Sequence, residues 1–174
     1  MQSPLRLCRV LIVGLLVVGG CYEGDGIFID RGWGTTMDRY QVNFGSIDLT
    51  REGTYTYHFS GLPHERFEVG IYVPHATYRT LRLSKETGPR IRGRLSDDRN
   101  HEILLDEQTF GSLGESGGPS VGWFLFMNPR HFLASTQTRY TLTVQVLDGN
   151  PELRLPEAKL MIKGGGWKRP APKT

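Results

Sequence analysis

Beyond position 21 the sequence has no cysteine, because Cys8 and Cys21 are the two in the chain. A disulfide scaffold and a cysteine-ligated zinc site are thereby excluded from everything that follows Cys21. Surplus charge of one sign is missing as well. The formal charge of +3 includes Arg6 and Arg9, and residues 21–174 hold 19 bases against 18 acids. So even a balance does not describe a strongly basic nucleic-acid binder. No window sustains a 3.6-residue period, no internal repeat is visible, and no apolar run is long enough to cross a bilayer as a helix. With 174 residues, one domain is expected, and a hydrophobic content of 38% argues against disorder.

What is present begins at the start of the chain. Arg6 and Arg9 precede the apolar stretch Val10 to Gly20, eleven residues against the roughly twenty of a membrane-spanning helix. A basic region, a short apolar region and small residues form a secretory signal. The residues Val18-Gly19-Gly20-Cys21 resemble the lipobox of bacterial lipoproteins, in which an aliphatic and two small residues precede an invariant cysteine. The departure is Val18, where leucine is commoner. The resemblance covers residues 1–21 alone and implies that Cys21 is diacylated on sulfur, released from Gly20 and acylated on its new amino group. Several acyl chains, at about 0.8 kcal/mol per buried methylene, make an effectively permanent anchor. An ordinary secretory peptide containing a cysteine is the alternative. Tyr22 stands where aspartate favours inner-membrane retention in enteric-type bacteria, which leans toward the periplasmic face of the outer membrane.

Residues 21–39 read as the acylated cysteine and a Gly/Asp-rich tether, ending in an irregular or short edge strand around Ile27-Phe28-Ile29. From residue 40 the pattern has period two. Tyr55, Tyr57 and Phe59 alternate with Thr54, Thr56 and His58; Phe67, Val69, Ile71 and Val73 with Glu68, Gly70 and Tyr72; Tyr140, Leu142, Val144 and Val146 with Thr141, Thr143 and Gln145. These β-branched and aromatic runs predict strands. With 41–47, 80–83, 91–95, 102–105, 122–127 and 159–162, about nine are expected. One apolar sheet face requires a second sheet. The expected fold is all-β, an antiparallel β-sandwich of immunoglobulin-like or C2-like appearance over residues 40–163. The expected core includes Phe44, Tyr55, Tyr57, Phe59, Val69, Ile71, Leu142, Val144 and Val146. Residues 131–134 offer at most one helical turn, and residues 164–174 a flexible basic tail.

Chemistry-bearing motifs are few. Gly114-Glu115-Ser116-Gly117-Gly118 satisfies G-x-S-x-G and resembles the nucleophile segment of chymotrypsin-like serine proteases. An elbow serine sits between a strand and a helix, whereas Ser116 reads as part of a Gly-rich loop before a strand. A triad also needs a histidine and an acid, and His75 is the least poor candidate. The histidines at 58, 64, 75, 101 and 131 lack metal-ligand spacing, so no catalytic residue, metal or cofactor is assigned. Asp97-Asp98-Arg99-Asn100-His101-Glu102 offers oxygens for calcium, but Arg99 in its midst favours a solvated turn.

Charge is segregated along the chain. Residues 79–99 carry seven bases and three acids, between flanks that are net acidic. On a strand over 91–95, Arg90, Arg92 and Arg94 share one face while Ile91 and Leu95 take the other. Such a row receives carboxylates, phosphates or an acidic protein surface, or else protects an exposed sheet edge. The expected function is a non-enzymatic, lipid-anchored envelope protein that binds a protein or envelope polymer, with toxin neutralisation by an immunity-type lipoprotein as a specific version. The alternatives are a small anchored hydrolase using the loops around Ser116 or residues 97–102, and a structural subunit of an envelope complex.

Overall fold

The computed structural model describes residues 21–31, 38–75, 86–99, 102–109, 113–118, 122–127, 132–153 and 157–165. Twelve strands lie among them: β1 (Glu23–Gly24), β2 (Ile27–Asp30), β3 (Tyr40–Ser46), β4 (Gly53–Ser60), β5 (Arg66–Val73), β6 (Arg90–Asp97), β7 (Glu102–Thr109), β8 (Gly114–Gly118), β9 (Gly122–Phe126), β10 (Phe132–Leu133), β11 (Tyr140–Val146) and β12 (Lys159–Gly164). The five-stranded sheet runs β1-β4-β11-β6-β7; the seven-stranded sheet runs β2-β3-β12-β5-β9-β8, with β10 paired to β5. Every pairing is antiparallel. The chain is an antiparallel β-sandwich.

The alternation seen in the sequence is what joins the sheets. Along β11, Tyr140, Leu142, Val144 and Val146 are buried while Thr141, Thr143 and Gln145 are half-buried on the other face. On β5, Phe67, Val69, Ile71 and Val73 point into the same core. Where the two sheets meet at one end, Tyr140 lies between them. Its ring centroid is 5.5 Å from Phe59 of β4 and 5.9 Å from Phe67 of β5. Phe59 in turn contacts Phe44 of β3 at 5.4 Å. Aromatic pairs at these separations add about 0.5–1.5 kcal/mol each to simple area burial. Tyr55 and Tyr57, expected in the core, are only half-buried at its margin; the Tyr57 ring packs at a tilt against Phe44, with centroids 4.7 Å apart.

Two glycines admit aromatic rings onto the outer face of the seven-stranded sheet. A Cβ on Gly70 would fall inside van der Waals contact of the Phe124 ring and the Leu125 carbonyl. Gly122, at φ +82°, similarly accommodates the Tyr72 ring. Tyr72 and Phe124 are register partners, so the rings and glycines form crossed diagonal pairs.

Four local expectations change. Gly114–Gly118, read as a loop, is strand β8, hydrogen-bonded along β9 with Ser116 opposite Phe124. Phe132–Leu133, read as a possible helical turn, is strand β10. The short edge strand expected around Ile27-Phe28-Ile29 is β2, at the edge beside β3, but the Gly/Asp-rich residues before it, read as a tether, include β1, which pairs with β4 and belongs to the sandwich. Finally, β6 is not an edge, because β11 and β7 flank it. The expected strand at 80–83, the signal region 1–20 and the tail beyond Gly165 lie outside the described residues.

Candidate binding face of the five-stranded sheet

Strand β6 carries the arginine row. Ile91, Gly93 and Leu95 are buried, Arg90 and Arg94 are exposed, and Arg92 is half-buried, so the expected division of faces holds. Its neighbour β11 places Gln145 beside Arg92, Thr143 beside Arg94 and Thr141 beside Ser96. Strand β4 extends the same three rows with Thr54, Thr56 and His58. The Oγ1 atoms of Thr56 and Thr143 lie 3.4 Å apart, and His58 Nδ1 is 3.1 Å from Thr141 Oγ1. The result is a face of hydroxyl, imidazole, amide and guanidinium groups built by strict alternation. Strand β7 adds Glu102 in register with Ser96 and Glu107 with Arg92, so the face combines hydrogen-bonding groups with guanidinium and carboxylate residues.

The three arginines are not equivalent. Arg90 is committed to Asp148 just past β11: its backbone N–H donates to Oδ1 at 2.6 Å and its Nε to Oδ2 at 2.9 Å. The backbone hydrogen bond from Arg90, then that from its side chain, holds the Asp148 carboxyl below the usual carboxylate range. Arg90 thus fastens the end of β6 to the turn after β11. Arg92 stands in register with Glu107 of β7, and Arg94 with Leu104. Between those two pairs the register slips by one residue. Such bulges increase local twist and re-aim side chains. The sequence gives no local sign of this slip, which depends on how β6 and β7 meet.

The other sequence candidates are placed as follows. Ser116 lies within a strand that pairs along its length with another strand, which is not the strand-to-helix corner of a nucleophile elbow. His75 has a positive φ of 55° directly after Pro74 and is exposed. In the segment 97–102, read as a solvated turn in preference to a calcium loop, Asp97 Oδ1 accepts the Arg99 N–H at 3.0 Å, an Asx turn, while residues 100 and 101 lie outside the described residues. His58 is exposed on the polar face, as its position in the alternation implies. Cys21 is exposed, and its thiol is free.

A second polar cluster, not visible in the sequence, occupies the outer face of the seven-stranded sheet. Lys163 Nζ lies 3.5 Å from Asp38 Oδ2 and 4.4 Å from the centroid of the Phe124 ring. Gln41 Nε2 donates to Asp38 at 3.3 Å, while Arg31 donates to Gln41 Oε1 at 3.0 Å. Residues far apart in the chain meet because β12 inserts between β3 and β5. Donors and acceptors satisfy one another here, so the cluster reads as a rivet fastening the segment before β3. No family model, curated protein or solved structure matches the chain.

Proposed function

We propose that this protein is a lipid-anchored bacterial envelope protein without catalytic activity, held through Cys21 and binding an acidic protein partner on the outer face of the five-stranded sheet. The anchor rests on the resemblance of Val18-Gly19-Gly20-Cys21 to a lipobox. The observation that carries the binding role is the position of the arginines. An arginine row on an outermost strand is accounted for by protection against edge-to-edge pairing. On an interior strand that account fails, because β6 already has neighbours on both sides. Arg92 and Arg94 there extend a hydroxyl-rich face rather than a guard for an open edge.

The test is crosslinking in intact cells, followed by identification of the captured protein and comparison of variants. Arg92→Gln with Arg94→Gln removes two charges while the Arg90–Asp148 contact and the buried Ile91 and Leu95 stay in place. The double variant should lose the partner, and wild-type binding should weaken as salt rises through the screening range. Capture that is indifferent to both arginines and to salt would overturn the binding role.

A further inference from the structure

We infer that β2 is a docking edge for a second copy of this chain, the two copies pairing antiparallel with Phe28 of one opposite Phe28 of the other. Strand β2 ends the seven-stranded sheet; β3 lies on one side, and among the described residues no strand pairs with the other. The register sets Ile27 opposite Asn43 and Ile29 opposite Gln41, and the Arg31 N–H continues it by donating to the Arg39 carbonyl at 2.8 Å. Backbone groups alternate sides along an antiparallel strand. Positions 27, 29 and 31 therefore turn toward β3, and Phe28 turns its N–H and C=O outward. Such outward groups are what an added strand takes up.

Side chains set this edge apart from the other three sheet ends. Edges are ordinarily protected by charge, proline or shortness. Strand β1 is two residues long and begins with Glu23, β7 carries Glu102, Asp106 and Glu107, and β8 has Glu115 among three glycines. Strand β2 instead shows two isoleucines, Ile27 at 67% exposed and Ile29 at 39%. Both lie on the outer face of the sheet, because Phe28 between them packs against the core. Among the described residues, Leu133 is the one other large apolar side chain so exposed.

The order of residues in this segment is complementary to itself, which is what a two-fold contact requires. With Phe28 opposite Phe28, Ile27 of each copy stands opposite Ile29 of the other, and four isoleucines close into one apolar patch. Continued outward, the same register brings Asp25 of each copy toward Arg31 of the other. Both residues are exposed. Asp25 accepts the His58 N–H and Arg31 donates to Gln41, but a carboxylate and a guanidinium each have further sites for a partner. Asp30 falls opposite Gly26, so no like charges meet. The next register, centred on Ile29, would set Phe28 opposite Asp30 and leave Ile27 without an apolar partner. Two four-residue strands bury little beside a standard interface of about 1,600 Å², so the dimer is a weak one. It leaves the outer face of the five-stranded sheet uncovered.

The experiment produces the full chain in bacterial cells as two differently tagged copies, one with Ile27→Cys and the other with Ile29→Cys, under mild oxidation. Opposed residues of a non-hydrogen-bonded pair lie about 4.5 Å apart at Cα, within reach of a disulfide, whereas diagonal neighbours at about 7–8 Å are not. A bond from position 27 to position 29 should join the two copies, and either variant alone should give no 27–27 or 29–29 bond. Mass spectrometry of the linked peptides separates these bonds from any through Cys21. Purified wild type should show a concentration-dependent monomer–dimer equilibrium in sedimentation. Ile27→Lys places a charge in the isoleucine patch and should raise the dissociation constant by about tenfold or more, with circular dichroism unchanged. Bonds of the 27–27 or 29–29 kind would put the copies in another register and overturn the pairing. A different protein linked to position 27 or 29 would overturn it in favour of an unlike strand partner. A chain that stays monomeric and forms no 27–29 bond, or a dimer indifferent to Ile27→Lys, would overturn it outright.

Discussion

Phe59 is the residue whose truncation should damage this fold most informatively. It is 3% exposed and contacts Phe44 at 5.4 Å in the opposite sheet and Tyr140 at 5.5 Å on the neighbouring strand. Replacing it with alanine removes a ring from between the sheets, where neighbours fixed in two hydrogen-bonded ladders have little freedom to close the gap. A core phenylalanine truncated in this way costs about 3–5 kcal/mol, and the rigid surroundings favour the upper half of that range. Total stability of such a domain is about 5–15 kcal/mol, so between a quarter and most of it is at stake. The neighbouring His58 is exposed; its ring lies 3.1 Å from Thr141 Oγ1, its backbone hydrogen bonds with Asp25 survive truncation, and His58→Ala should stay within about 0.5 kcal/mol. Urea unfolding followed by tryptophan fluorescence reports both, since Trp123 lies in the core. With a slope of about 2 kcal/mol per molar urea, Phe59→Ala should lower the midpoint by about 2 M and His58→Ala by no more than about 0.3 M. Equal shifts for the two variants would refute the assignment of faces on β4, and with it the packing of the sheets.

Gly70→Ala should destabilise by about 1–3 kcal/mol in the same assay, because the new methyl group meets the Phe124 ring and the Leu125 carbonyl. An ordinary strand glycine would instead gain roughly 0.5–1 kcal/mol from alanine, so the sign of the change decides. Asp148 has its carboxyl pKa lowered on folding, so its contribution is present above the ordinary value of 3.8 and fades as pH falls through the lower folded value. Asp148→Asn should therefore reduce the loss of melting temperature between pH 5 and pH 2.5 relative to wild type, as read by scanning calorimetry. Ser116→Ala should leave partner capture in intact cells unchanged, whereas the Arg92/Arg94 double variant loses it.

Much of the fold is legible wherever side chains alternate by chemistry. On β5 and β11 the apolar set is unbroken, and a one-residue slip would expose it, so strand and face follow together. Strand β8 defies that logic because Gly-Glu-Ser-Gly-Gly has no apolar alternation and little strand propensity. It becomes a strand through the hydrogen bonds offered by β9, a tertiary effect that no local window contains. Sheet order is hidden for a similar reason. That β11 sits between β4 and β6 is a matter of long-range pairing, yet it decides whether the arginines guard an edge or furnish an interior face. Alternation alone places Arg90, Arg92 and Arg94 together. It does not reveal that Asp148 holds Arg90, because that contact depends on the turn after β11.

The most direct test of the central claim is intact-mass and N-terminal peptide mass spectrometry of the protein taken from the membrane fraction of bacterial cells, beside Cys21→Ser. The account predicts a mature chain that starts at Cys21 and carries a diacylglyceryl thioether and an amide-linked acyl chain. It also predicts that Cys21→Ser is unmodified, uncleaved before residue 21 and absent from the detergent phase. A wild-type chain beginning at another residue, or beginning at Cys21 with a bare thiol and free amine, would contradict it.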